Sequence, residues 1–215
     1  MMNKVKYIVW SVLNRLKIGG LIQLRFNSAL LHDGWFKSFE TKRAVDKDDN
    51  PIPWWAYSFN NFIERRLKKS FDVFEYGCGN STIWLARKVK SIKSVEGNMT
   101  WFEKISTLLP RNAKVIYIPP ESENYAKEIN GSKKKYHIII IDGDNRVKCI
   151  KNSVRNLKNN GVIIFDNTNV KDYEEGIQFL YKNRFKRIDF WGIGPVTPIK
   201  TCTSIFYKDK NCIGI

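Results

Sequence analysis

Apolar residues in the first seventeen positions recur every three to four places. Val5, Ile8, Val9, Val12, Leu13 and Leu16 share one stripe, and Lys4, Lys6, Arg15 and Lys17 fall largely off it. This period predicts a basic amphipathic helix over residues 3–17, stopped by Gly19-Gly20. Residues 27–53 show no sustained period and read as polar loop, with a charged stretch at 42–49 and Pro51 and Pro53 framing Ile52. A helical pattern resumes over 54–69, where Trp55, Phe59, Phe62, Ile63 and Leu67 lie on one side.

From residue 71 the pattern changes to short apolar runs alternating with helical segments. Strands are predicted at 71–76, 91–96, 113–118, 136–141 and 161–165, with helices at 81–89, 98–109, 121–129, 145–157 and 171–183 between and after them. Two further strands, at 185–191 and 201–207, follow without an intervening helix. In the fourth strand, four consecutive isoleucines follow His137. A run with no polar alternation is buried on both faces, as in a parallel sheet. Repeated βα units predict an α/β fold, doubly wound around a mostly parallel seven-stranded sheet. The final strand pair predicts a hairpin, which puts one antiparallel strand at the C-terminal end. Residues 1–70 read as an N-terminal helical cap or extension and 71–215 as the main domain.

The chain has 215 residues, 43% hydrophobic and 27% charged, which suits one globular α/β domain. Lys and Arg outnumber Asp and Glu 37 to 21, a net charge of +16. Such a field favours anionic partners: nucleic acid, phosphorylated glycans, nucleotide sugars or acidic lipid. The four cysteines form no CxxC pair and only two histidines occur, which argues against a Cys/His zinc site and for reduced thiols in a cytoplasmic protein. No apolar run is long enough to span a bilayer. The basic helix at residues 1–17 can lie on an anionic membrane, pack on the domain or pair with a second copy in a homodimer.

The first strand ends in Glu75-Tyr76-Gly77-Cys78-Gly79, followed by Asn80, Ser81 and Thr82 at the start of a helix. Glycines there permit a sharp turn and close approach to a ligand, and the helix aims free N–H groups at the same place. An acid, Glu96, ends the next strand about twenty residues on, where a ribose-binding carboxylate belongs. An NAD-type site is the alternative; the short spacing and the charge of Glu75 fit an ammonium group better than a pyrophosphate. These residues resemble the first motif of the class I S-adenosylmethionine (SAM)-dependent methyltransferases, an acid followed by spaced glycines, with Ser81 in place of the third glycine. The resemblance covers 71–207 and implies a Rossmann-like fold with SAM as cofactor. It implies that Gly77, Cys78, Gly79, Asn80, Ser81 and Thr82 line the SAM loop. Glu75 would serve the methionine end, Glu96 the ribose hydroxyls, and Gly97 and Asn98 the ribose and adenine. Trp101 either covers the adenine or belongs to the core.

Two more strands end in acids, at Asp142-Gly143-Asp144-Asn145 and at Asp166-Asn167. Three hard oxygen donors, Asp142, Asp166 and Asn167, suit Mg²⁺ or Ca²⁺. The pattern is similar to that of the divalent-cation-dependent O-methyltransferases. That resemblance implies a metal at these three residues, with Asp142 also near SAM and Asp144 facing SAM or the substrate. A lysine usual in those families is replaced by Asn145, followed by Arg146, which is too basic to accept a proton and is expected to grip a substrate anion. The alternative for Asp142 and Asp166 is capping of the following helices. Together these readings point to O-methylation of an anionic small molecule or glycan. Asp142, Asp144 and Arg146 are then the candidate catalytic residues. RNA or tRNA methylation and a non-catalytic, membrane-recruited SAM-fold module are the alternatives.

Overall fold

A computed structural model describes residues 4–131 and 133–215. One sheet contains β1 (Asp72–Tyr76), β2 (Ser91–Glu96), β3 (Ala113–Tyr117), β4 (Tyr136–Ile141), β5 (Leu157–Phe165), β6 (Lys186–Ile193) and β7 (Lys200–Tyr207). Their spatial order is β3-β2-β1-β4-β5-β7-β6. The pairs β1–β2, β2–β3, β1–β4 and β4–β5 are parallel. Only β7 is reversed, pairing antiparallel with β5 and with β6. The doubly wound sheet with an antiparallel hairpin is therefore present as the chain pattern predicts.

The isoleucine run of β4 alternates between two cores. Ile138 and Ile140 pack with Val73, Val162, Ile164, Leu85 and Phe59. Ile139 and Ile141 pack on the other face with Phe74, Ile163, Tyr125, Ile150 and Leu180. All four isoleucines are fully buried, as required of a central strand with layers on both sides.

The helices are α1 (Lys4–Arg15), α2 (Gly19–Phe26), α3 (Ala29–His32), α4 (Trp35–Thr41) and α5 (Tyr57–Glu64), followed by α6 (Asn80–Ala86), α7 (Met99–Ser106), α8 (Glu123–Lys127), α9 (Arg146–Ser153) and α10 (Glu174–Lys182). Residue 3, where the first helix was expected to begin, lies outside the described residues. Two expectations for the N-terminal part are corrected. Gly19-Gly20 does not end the helical region but begins α2. A Cβ at Gly19 would lie 2.2 Å from the Asn14 side chain and 3.3 Å from Trp10, so the glycine permits a close helix crossing. Residues 27–53 are not simply loop: Ser28 caps α3 by accepting from the Leu31 N–H, and α4 follows Gly34. Gly34 has φ +84°, and a Cβ there would meet the backbone of Asp46 at 2.3 Å.

The segment expected as a cap also enters the main core. Trp55, Ala56, Phe59 and Ile63 pack in the same cluster as β1, β4 and β5. The N–H of Ala56 donates to Thr203 on β7, and the Trp35 indole donates to the Thr197 carbonyl. Residues 35–63 are thus tied directly to the sheet. The four cysteines are free and buried. Among the described residues, no helix is long and apolar enough to cross a membrane.

Candidate active site at the switch point of the sheet

Strand order reverses between β1 and β4, and a crevice forms beyond their carboxyl ends. The backbone there is packed too closely for side chains. Gly77 has φ +89°, and a Cβ on it would stand 3.0 Å from the Asp142 carbonyl oxygen. A Cβ on Gly143 would lie 2.1 Å from the Tyr125 hydroxyl and 2.6 Å from the Gly77 nitrogen.

Glu75 is the most heavily engaged of the expected site residues. Its Oε1 accepts from the Ser81 hydroxyl at 2.6 Å, and its Oε2 accepts from the hydroxyls of Thr82 and Ser94. The side chain is almost fully buried. Burial pushes the carboxyl up to about 7 in spite of these three donors. Ser94, a small polar residue facing inward from β2, was not singled out in the sequence. Glu96 clamps two turns: its Oε2 accepts from the Cys78 N–H at 2.8 Å and its Oε1 from the Asn98 N–H at 2.9 Å. A carboxylate offers about four acceptor positions, so Glu96 retains capacity for further donors.

The other loop residues fall around the same point. Asn98 caps α7 through the Trp101 N–H. The Trp101 indole donates to the Cys78 carbonyl, which holds the ring against the glycine loop. Asn80 donates to the Ala44 carbonyl and so joins the loop to the N-terminal segment. Gly79 has extended backbone, and a Cβ there would meet the Trp101 ring at ordinary contact distance. A Cβ on Gly97 would lie 2.5 Å from a carboxylate oxygen of Asp144.

Asp142 and Asp166 are brought together beyond β4 and β5. Asp142 accepts from the Trp55 indole at 2.9 Å through Oδ2 and from Arg146 at 3.1 Å through Oδ1. Burial raises its proton affinity, and the Arg146 guanidinium opposes this. Asp166 accepts from the Thr203 hydroxyl. Burial, and next the charge of Asp142, push the Asp166 carboxyl upward. Neither acid caps the helix that follows it: the N-cap of α9 is Asn145, in the left-handed region, and that of α10, beyond Asp166, is Tyr173.

The three expected metal ligands, Asp142, Asp166 and Asn167, border one cavity, but a cation of the chain itself lies on Asp142. Arg146, expected to grip a substrate anion, is turned inward and donates to the carbonyls of Gly143, Asp166 and Asp142 as well as to the Asp142 carboxylate. A permanent cation therefore occupies one of the two carboxylates. The Asn167 amide group donates to Thr201. Among the described residues, no three His, Cys, Asp or Glu side chains cluster as metal ligands. This donor set does not fit a divalent cation, because Arg146 already supplies the positive charge.

Two cavities open on the crevice. The smaller, about 370 Å³, is bordered by Glu75, Gly77, Glu96, Asn98, Asp144 and Arg146. The larger, about 630 Å³, is bordered by Lys42, Trp54, Lys104, Leu108, Asp166 and Asn167. Cys78, Ser81, Trp101 and Asp142 border both. Four carboxylates beside the smaller cavity (Glu75, Glu96, Asp142 and Asp144) suit a cationic ligand that also presents hydroxyl groups. They oppose a pyrophosphate.

Comparison with solved structures agrees with this topology. Precorrin-6y C5,15-methyltransferase from Geobacter metallireducens matches 79% of this chain and 96% of its own, with 14% identity and a TM-score of 0.60. The fold is the Rossmann-like methyltransferase fold. N-methyltransferase NodS from Bradyrhizobium japonicum matches 69% of this chain and 90% of its own, with 12% identity and a TM-score of 0.51. A protein of Streptococcus mutans solved in complex with SAH matches 69% of this chain and 94% of its own, with 14% identity and a TM-score of 0.50. No family model matches the sequence, and no curated protein is similar to it in sequence.

Proposed function

We propose that the chain is a SAM-dependent methyltransferase acting on a hydroxyl of an anionic small molecule or glycan. The observation that carries this reading is the position of Asp142 on the border of both cavities. Cofactor and acceptor must meet where two compartments share a wall, and that wall is acidic. The fold, which methyltransferase structures share, supports the same reading.

The residues of the smaller cavity fit SAM. Gly77 and Gly143 let their two loops pack closely at the border of the cavity, and the surrounding carboxylates match a sulfonium and an ammonium group. Glu96 would accept the ribose hydroxyls with the capacity left by its two backbone donors. When bound, SAM supplies an electrophilic methyl group. Asp142, held by Trp55 and Arg146 on its two oxygens, orients the reacting groups. Asp166 lies in the larger cavity with raised proton affinity and takes the proton of the acceptor hydroxyl on its carboxylate. Arg146 supplies charge balance for both acids.

The larger cavity indicates the acceptor class. Lys42 and Lys104 border it and favour a carboxylate or phosphate. Trp54 and Trp101 offer ring faces to a sugar or an aromatic group. Incubation with labelled SAM and an acidic-glycan extract, with and without EDTA, tests the proposal. Label should enter the glycan fraction with or without EDTA, and no transfer by folded protein to any extract would overturn it. RNA remains a second reading on one observation, the net charge of +16. RNA binding that weakens steeply with salt, together with label in RNA alone, would favour it.

A further inference from the structure

Much of the exposed apolar surface lies on the N-terminal helices. α1 buries none of its residues. Ile8, Val9, Val12 and Leu16 are each at least half exposed. With about 100° between successive residues, these four occupy one arc of the helix. Lys4 and Arg15 border one edge of that arc; Leu13 borders the other, with Lys6 beyond it. Leu13 lies at the edge of the arc and Trp10 on a different face, and both are half-buried; Trp10 stands near Gly19, the first residue of α2. The exposed arc therefore faces away from Trp10, which packs at the helix crossing. α2 also exposes apolar side chains: Leu21, Leu24 and Phe26, the last 74% exposed.

Charge identifies the occupant. No Asp or Glu precedes Asp33 in the sequence. A protein surface that buried this stripe would also have to neutralise the cations beside it. An anionic lipid surface does both at once: acyl chains take the apolar arc, and headgroups take the lysine and arginine heads beside it.

We infer that α1 and α2 form a docking surface for an anionic bilayer, lying in the headgroup plane with the α1 stripe inserted. The helices are too short to cross, so the attachment is peripheral and reversible. It is independent of methyl transfer and holds or fails separately from the proposed activity.

Sedimentation of the full chain with vesicles tests it. One vesicle contains phosphatidylcholine alone, and the other phosphatidylcholine mixed with phosphatidylglycerol. Binding to the anionic vesicle should exceed binding to the neutral one by about tenfold or more and should weaken with salt. The combined variant K4E/K6E/R15E/K17E should lose that binding. Ile8→Ser/Val12→Ser should lose it too, with all basic residues retained. Both variants alter exposed side chains, and an unchanged melting temperature confirms their fold. Equal binding to both vesicles, or protein left in solution with both, would overturn the inference. So would a concentration-dependent dimer, dissolved by these variants, in a chain that ignores vesicles.

Discussion

Trp55 donates its indole N–H to Oδ2 of Asp142 across 2.9 Å, joining residues 87 positions apart. Asp142 ends β4, whereas Trp55 lies ahead of the first strand and is fully buried. The N-terminal segment thus fixes the acid shared by both cavities. Trp55→Phe keeps an aromatic ring and removes the donor. It leaves a half-buried carboxylate oxygen unpaired, a loss of about 1–3 kcal/mol. A lowered urea midpoint is expected, with a fall in methyl transfer larger than any change in SAM affinity. Unchanged transfer would show that Asp142 needs no orientation from this side.

Arg146 offers a second test because four of its contacts are to the chain itself. Its side chain is only 11% exposed. Arg146→Met would leave Asp142 and Asp166 without their shared cation, at a cost of about 3–5 kcal/mol. Arg146→Lys should recover only part of this, since one ammonium group cannot span the same acceptors. Thermal melting separates the three proteins. Mg²⁺ is expected to leave wild-type melting unchanged; a rise on adding Mg²⁺ would restore the cation site.

These relationships also mark how far the sequence could be read. The bounds of β2 and β4 match the sequence reading: β4 carries an unbroken isoleucine run, whereas β2 has only Ile92 and Val95 as apolar residues. The glycine loop and Glu96 were legible from strand, turn and spacing. The inward fold of Arg146 was not, because its partners are mostly carbonyl oxygens, which leave no trace in a sequence. α4 reads as loop from the sequence because its anchors lie outside it: the Trp35 indole reaches Thr197 far along the chain, and Ser38 pairs with Val45. Gly19-Gly20 reads as a stop on propensity, whereas the close crossing of two helices requires Gly19.

Two glycines at the crevice should respond differently to the same change. In Gly143→Ala the new methyl would meet backbone at Gly77 and the buried Tyr125 hydroxyl, neither of which can move freely. The protein should be strongly destabilised or fail to fold. In Gly97→Ala the nearest atom, at 2.5 Å, is the end of the Asp144 side chain, which can rotate away. The fold should survive, and SAM affinity should fall as Asp144 is displaced from the smaller cavity. Calorimetric titration with SAM, alongside thermal melting, distinguishes the two. Equal loss of stability in both would contradict the assigned difference.

Glu75 gives a pH dependence with a definite sign. Its carboxyl is pushed from an ordinary 4.5 up to about 7 by burial. As pH rises between these values, the unfolded chain releases this proton first, so the folded state loses relative stability. The contribution is complete below the lower value and lost through the upper, with a span of about 3 kcal/mol. Glu75→Gln keeps the shape and cannot titrate. The stability difference between wild type and Glu75→Gln should therefore shift against wild type from about pH 5 to about pH 8. The same carboxyl borders the smaller cavity, where a cationic ligand favours its ionised form. SAM binding near pH 6 should then release a proton, visible as a dependence of the binding heat on buffer ionisation enthalpy. Binding should tighten as pH rises toward 7. Glu75→Gln should show neither effect, and a wild type with no proton release would place Glu75 outside the reach of the ligand's charge.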